Sequence, residues 1–515
     1  MRARVRTGIV LAGLLLVAGW CAVRMQGASA ATVAPEIARP GLAWFNVEAP
    51  LPIASLRGRM VILDFWTEGC INCIHIIPIL RAVEQKYPQQ VVVIGVHSPK
   101  FAEEKSAASV QDAIQRYEIH HPIVHDPQMS IWRDYGVQAW PTLVLVGPDG
   151  NIIARLPGEP DPAAFTKAVG DLVASAGYAG ALKPARLALK LEAEPKGRFL
   201  FPGKLKRVPG QETRWALADA GHNQIVLLDD AGKDVRRFGS GAAGRQDGAA
   251  NAASFDHPQG LVATSDAIFV ADTGSHALRR IDLQSGAVST LAGDGKRGTT
   301  LEQAPRSGRT LSLASPWDLE KQGNRVFFAN AGTHQIGVLD LDAGTVARFA
   351  GSGDEDLVAG APSAAAFAQP SGLALAADGK TLYVADAESS AIRAIALDTG
   401  ATTTLVGAGL FDFGKTNGAF EVARLQHPLG VAVDGEHLLV ADTYNSRVRT
   451  LDLAKRSVAE FDGGKFTCTD PICYPLREPA GIAVAAPDRI LLVDTGNQRI
   501  EEYRPSLKTS HTWAR

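Results

Sequence analysis

Ile62-Leu63-Asp64-Phe65-Trp66-Thr67-Glu68-Gly69-Cys70-Ile71-Asn72-Cys73-Ile74-His75-Ile76-Ile77-Pro78 is the stretch whose reading decides the fold. With Val61 it opens as an apolar run, broken by one carboxylate, Asp64, which reads as a buried strand ending in a turn. Ile74, Ile76, Ile77 and Leu80 then read as the start of a helix. Cys70 and Cys73 therefore fall at a helix N-terminus, three residues apart. Unpaired N–H groups and the positive end of the helix dipole favour a thiolate on the first of them. That is the chemistry of thiol–disulfide exchange. Half of a zinc site is the alternative, but the only other close pair, Cys468 and Cys473, is remote and differently spaced. His75 reads as a helix-face residue rather than a ligand.

Asp64-Phe65-Trp66, Cys70-x-x-Cys73 and Pro78 together resemble the active-site segment of the thioredoxin superfamily. Gly136-Val137-Gln138-Ala139-Trp140-Pro141-Thr142 resembles that family's cis-proline loop, with the next strand running to Val146. The resemblance implies Cys70 as nucleophile, Cys73 as resolving thiol and Asp64 as proton acceptor for Cys73. It also implies a cis Pro141 and a substrate groove bordered by Trp140, Pro141 and Glu68. Gly69 and the Ile-Asn dipeptide depart from common members and alter the environment of the sulfurs. The Trp140 indole either narrows the groove or packs under its loop.

The chain has 515 residues, too many for one ordinary domain, and 46% are hydrophobic, enough for sizeable cores. A formal charge of −2 gives no reason to expect nucleic acid as a partner. Arg2, Arg4 and Arg6, the apolar run Gly8 to Val23 and Ala28-Ser29-Ala30 describe a secretory signal over residues 1–30. Arg24, between the apolar run and the cleavage-like site, keeps an uncleaved membrane anchor open as the alternative. Trp20 is too bulky for lipoprotein processing at Cys21. Either reading exports the rest, to the periplasm or to the periplasmic face of a membrane. An oxidising compartment suits the two local cysteine pairs.

Residues 40–178 read as the α/β thioredoxin-like domain. A helix from Ser106 and a strand near Ile123 are inserted, as in the TlpA/ResA and DipZ-like branch that this part resembles. His97 ends the second buried strand and either meets substrate or holds the loop. His120, His121, His125 and Asp126 invite a metal reading. Strand alternation through Ile123 and Val124 sends their side chains to opposite faces, so no metal is expected.

Residues 197–506 repeat with a period near 55: Pro-x-Gly, a strand, a second strand ending Val-Ala-Asp, a polar turn and a strand with Arg. Pro258 to Asp272, Pro370 to Asp386, Pro428 to Asp442 and Pro479 to Asp494 are the clear copies; Pro202 to Asp219 and Pro316 to Asn330 are degenerate ones. Four short strands at this period make a propeller blade. Asp442-Thr443-x-Asn445-x-Arg447 and its relatives resemble the NHL repeat, and six copies imply an all-β six-bladed propeller. The repeated aspartates read as acceptors for N–H groups of the following turn. Within residues 184–194, the alternating Arg186 to Glu192 is expected to close the ring as the last blade's fourth strand. Cys468 and Cys473 are expected to form a structural disulfide.

A thioredoxin-like domain ahead of six such repeats resembles the NHL-repeat-containing thioredoxin-like proteins, which also carry Cys-Ile-Asn-Cys. The resemblance implies an exported thiol–disulfide oxidoreductase with no cofactor. Its substrate would be a protein thiol or disulfide, with an unidentified protein partner on the propeller and an inner-membrane electron donor as a further candidate. A non-catalytic scaffold and a metal-dependent propeller lyase or hydrolase are the other readings.

Overall fold

The computed structural model describes residues 32–210, 214–461 and 466–515. The signal or anchor reading for residues 1–30 lies outside them. Within the described residues no helix is long and apolar enough to cross a membrane.

The first domain is a mixed sheet between helices. β1 (Trp44–Phe45), β2 (Met60–Trp66), β3 (Val91–His97), β4 (Ile123–His125), β5 (Thr142–Val146) and β6 (Ile152–Pro157) take the order β1-β4-β3-β2-β5-β6. β2, β3 and β4 are parallel, and β5 returns antiparallel against β2. β2 is buried along its whole length, as its unbroken apolar run requires. Its two faces feed two cores. Val61, Leu63 and Phe65 pack with Trp132 and Tyr135 on one side. Met60 and Ile62 pack with Ile76, Leu80 and Val83 of α1 (Ile71–Lys86) on the other. α2 (Ala107–Arg116) is the inserted helix. It is capped by Ser106, whose hydroxyl accepts from the Ser109 N–H at 3.0 Å.

The second domain is a ring of six sheets, antiparallel but for the edge strand Thr467–Cys468, which runs parallel to its neighbour in the last one. Each blade is built from consecutive strands, and the last comprises Pro479–Ala486, Arg489–Asp494, Arg499–Arg504 and Thr509–Ala514. The closing strand expected from Arg186 to Glu192 is not there. That segment runs along the first domain, where Leu187 packs on the core and the Lys190 and Glu192 N–H groups donate to Asn46. Its alternation serves that edge instead.

The ring closes with no strand shared between its ends. Thr273 and Thr443 donate through Oγ1 to the carbonyls of Pro316 and Pro479 in the next blade, at 2.6 and 2.8 Å. Thr495 of the last blade makes the same bond to Pro202 of the first, at 2.8 Å. Leu205, Trp215 and Val226 of the first blade pack against Leu491, Val493 and Ile500 of the last. Lys204 Nζ reaches across the ring to the carbonyls of Leu429 and Ala480.

The strand-end acids hold the blades differently from the sequence reading. Asp219, Asp272, Asp386, Asp442 and Asp494 each accept a backbone N–H from the loop entering the blade, at 2.7–2.8 Å, while the turn that follows donates only through side chains, Ser389 to Asp386, Asn445 to Asp442 and Asn497 to Asp494. The other oxygens of Asp272, Asp386 and Asp442 meet buried Arg279, Arg393 and Arg449. A buried carboxylate needs that partner: burial still pushes Asp272 up to about 7 and Asp386 and Asp442 up to about 6.

Candidate functional site

Cys70 caps α1. Its sulfur accepts the Cys73 N–H at 3.3 Å, and both cysteines stand as buried thiols. Burial, then the neighbouring Cys70 and Asp64, push the Cys73 thiol well above its ordinary range. Asp64, on β2 beneath the motif, has one buried carboxylate oxygen with no hydrogen bond, and burial raises it to about 7. A carboxylate poised near neutrality can exchange a proton with a thiol that is otherwise hard to ionise. The Trp140–Pro141 peptide bond is cis. Trp140 packs under its loop: the indole lies on Trp132 at 4.5 Å and donates to the Ser98 carbonyl at 2.8 Å. Glu68 turns inward, where it accepts from the Ser109 hydroxyl; burial, then nearby Glu478 and Glu104, raise it well above the carboxylate range.

Of the first domain's metal-candidate histidines, His97, His121 and His125 are buried and engaged, whereas His120 is exposed. His97 packs edge-on against Trp66 and lies 3.2 Å from His125 through their Nδ1 atoms, while His121 faces Glu84 at 3.4 Å. Among the described residues, no three His, Cys, Asp or Glu side chains gather as a metal site.

The sequence reading missed the roof. One rim of the propeller lies over the start of α1 and the loop after β3. The six residues that enter the blades ahead of proline are Phe201, His257, Ser315, Gln369, His427 and Glu478. All six have φ between 46° and 57°. That conformation is sparsely populated for residues other than glycine, and such strain gathers at functional surfaces. Each of the last five donates its N–H to the turn residue of the preceding blade: Asn223, His276, His334, Ser390 and Ser446 in order. His276 and His334 thus act as latches between blades.

Several of these rim side chains grip the first domain. Gln369 straddles the nucleophile: its Oε1 accepts from Ile71 N–H at 2.8 Å and its Nε2 donates to the Gly69 carbonyl at 2.9 Å. Ser315 Oγ meets His75 Nε2 at 2.8 Å, Glu478 pairs with Arg116, and His427 packs on Phe101. Ile71, between the cysteines, packs on Trp317 and Ala331. A Cβ on Gly69 would lie 2.9 Å from the Tyr444 hydroxyl and 3.0 Å from His427 Cε1, so the propeller fills the space a larger side chain would need. Beside this contact, a cavity of about 420 Å³ separates Ile74 and Pro78 of α1 from His257 and His276. The repeats mark these six positions, each before a proline and each with a different side chain from blade to blade, but not what they touch.

The fold and the motif define a thioredoxin-like domain joined to a six-bladed NHL propeller. A thioredoxin-like family model matches residues 58–152, and an NHL-repeat model matches residues 425–451. NHL repeat-containing protein 2 of Bos taurus is 37% identical over 513 residues, which cover 91% of this chain and 70% of that protein. The chain belongs to the NHL repeat-containing protein 2 family. The protein SUPPRESSOR OF QUENCHING 1, chloroplastic, of Arabidopsis thaliana is 39% identical over 504 residues, 92% of this chain and 47% of that one. Protein DipZ of Mycobacterium bovis is 35% identical over 112 residues, 21% of this chain and 16% of its own length.

Proposed function

We propose that this protein is an exported thiol–disulfide oxidoreductase whose redox pair is Cys70–Cys73. The observation that carries the reading is Asp64, raised to about 7 beneath two thiols at a helix N-terminus. The Cys70 thiolate attacks a substrate disulfide, and the departing sulfur leaves as a thiolate that takes a proton. Cys73, having passed its proton to Asp64, then attacks Cys70 and releases the second substrate thiol. The pair ends oxidised, and a dithiol donor returns its two electrons. The substrate is a protein disulfide or thiol, and the propeller holds a protein partner. Export places the donor at the inner membrane.

A Cys73→Ala variant tests this. It should accumulate a mixed disulfide on Cys70 that dithiothreitol releases. If none forms with any disulfide offered, the reading fails.

One observation favours a second reading. The propeller rim covers the motif, as it would in a scaffold whose thioredoxin-like domain is a docking piece. On that reading, partner capture by the Cys70→Ser/Cys73→Ser protein equals that of the parent.

A further inference from the structure

Three side chains, drawn from both domains, form one hydrogen-bonded line at the cavity beside α1. Ser315 enters the third blade just ahead of the strand Pro316–Gln322. Its Oγ lies 2.8 Å from His75 Nε2, and His75 Nδ1 lies 3.1 Å from Glu159 Oε1. His75 belongs to α1 and follows the cysteines. Glu159 follows β6, in a loop fixed to the cis-proline loop by the Gly158 N–H, which donates to the Pro141 carbonyl at 2.8 Å. The second oxygen of Glu159 pairs with Arg297 of the propeller. A carboxylate so held can only accept, so His75 carries its proton on Nδ1 and turns the lone pair of Nε2 to the Ser315 hydroxyl. Ser315 has little freedom: its φ is 46°, and its N–H donates to His276 Nδ1 at 3.1 Å. Ser315 and His75 both line the cavity of about 420 Å³.

We propose that Ser315, His75 and Glu159 are a hydrolytic triad, with Ser315 the nucleophile toward esters of small apolar acids bound in this cavity. Nucleophile, base and orienting acid are each within hydrogen-bond reach of the next, as such a triad needs. The chemistry uses neither cysteine and goes beyond thiol exchange. The acyl group lies against Ile74, Ile77, Pro78 and Trp317, which give the cavity its apolar wall. Ser315 Oγ attacks the ester carbonyl carbon, and its proton passes to His75 Nε2. The carbonyl oxygen takes the negative charge. As the carbonyl re-forms, the C–O bond to the alcohol breaks, and the departing alkoxide takes the proton from His75. A water molecule, deprotonated by His75 in turn, opens the acyl-serine and releases the acid. Nothing is oxidised or reduced, and water is the only co-reactant.

The surroundings set the substrate class. Arg297 and His276 line the same cavity. His276 accepts the Ser315 N–H at Nδ1, so its own proton is on Nε2, and Glu159 takes only part of the Arg297 fork. Both side chains thus keep donors for the oxyanion. Burial first, then the charge of Arg297, lower His75 to about 3. It is neutral at pH 7, as a base must be, but it is a weak base, and a weak base serves best where the leaving group needs little help. Esters of acidic alcohols meet that condition; amides, whose amine must be protonated to leave, do not. Ser315 belongs to the propeller, and His75 and Glu159 to the first domain, so neither domain holds the site alone.

The test is labelling of the full chain with an alkyl fluorophosphonate, located by peptide mass spectrometry. It is run in the Cys70→Ala/Cys73→Ala background, so that no redox thiol consumes the reagent and the two proposals fail separately. Ser315 Oγ should attack phosphorus, expel fluoride and keep the phosphonyl group. His75→Gln should slow that labelling about a hundredfold. Glu159→Gln should slow it too, and Glu159→Asp, which keeps the carboxylate, should recover most of the rate. The chain should also hydrolyse p-nitrophenyl butyrate, an activity that Ser315→Ala abolishes, and should leave the matching p-nitroanilide intact. Absence of label on Ser315 in the folded chain overturns the proposal, as does labelling of folded His75→Gln at an undiminished rate. Cleavage of the anilide as fast as of the ester overturns the substrate class. Locating the label requires no change at Ser315 or His75, so it decides the matter even where those variants do not fold.

Discussion

The molecule holds two cysteine pairs, and their settings oppose one another. Cys468 and Cys473 are joined, with Cα atoms 6.0 Å apart, in a surface insertion before the last blade. Cys473 is exposed, and no helix starts there among the described residues. Cys70 and Cys73 are thiols at the N-terminus of a sixteen-residue helix, over a buried acid and under the propeller rim. Spacing alone separates these pairs poorly. What separates them is the surroundings of each: a helix terminus at one pair, a buried acid beneath it and the propeller rim above.

The largest expected effect breaks the comparison outright. Cys70→Ser should abolish disulfide exchange, whereas Cys468→Ser/Cys473→Ser should leave its rate at the parent level, both followed by reduction of a model disulfide.

Asp64→Asn comes next. It should slow the resolving step, read as release of a mixed disulfide by Cys73, by about a hundredfold. It should also change stability in a defined direction. The folded carboxyl titrates at about 7, above its ordinary 3.8, so between those values the folded state binds more protons than the unfolded one. This group's contribution therefore falls as pH rises from 3.8 to 7 and levels off beyond. The asparagine variant should gain on the parent over that window, by about 4 kcal/mol at most. Urea unfolding at pH 5 and pH 8 measures it.

Gln369→Ala sharpens the comparison from the other side. It removes the amide that straddles Cys70 and leaves two buried backbone groups unpaired. A loss of about 2 kcal/mol is expected, with alkylation of Cys70 a fewfold faster. The smallest effect is that of the second pair on stability. Opening a loop closed over a separation of five residues should cost about 2 kcal/mol, seen as a Tm lowered by a few degrees.

Local signals made much of this legible. The apolar run with Asp64, the helix spacing after Cys73 and the loop at Pro141 are each contained within a few residues of sequence. The six blades show because Asp, Thr and Arg repeat where each blade bonds to its neighbour or pins its own strand end. Two features misled. Arg186 to Glu192 alternates like a strand yet lies against the first domain, while Thr509–Ala514, the true fourth strand, reads Thr-Ser-His-Thr-Trp-Ala and shows no apolar alternation. Strand pairing there comes from backbone position, which side-chain pattern does not report. The roof was illegible for a different reason. Gln369 and Gly69 are 300 residues apart, and Lys100 and Glu388 are 288 apart. No local period encodes such contacts. His257 and His427 each precede the proline of their own copy, but that all six such positions lie on one rim follows only from closing the ring.

The central claim is that the roofed pair is a working redox couple and the exposed pair a staple. The most direct measurement is a glutathione redox titration of the Cys468→Ser/Cys473→Ser full chain, with the Cys70–Cys73 oxidation state read by thiol trapping. The account predicts a reversible two-electron couple, with a potential between about −270 and −120 mV, the span from thioredoxin to the strongest thiol oxidants. A pair that exchanges with neither glutathione nor dithiothreitol while the protein stays folded would contradict it.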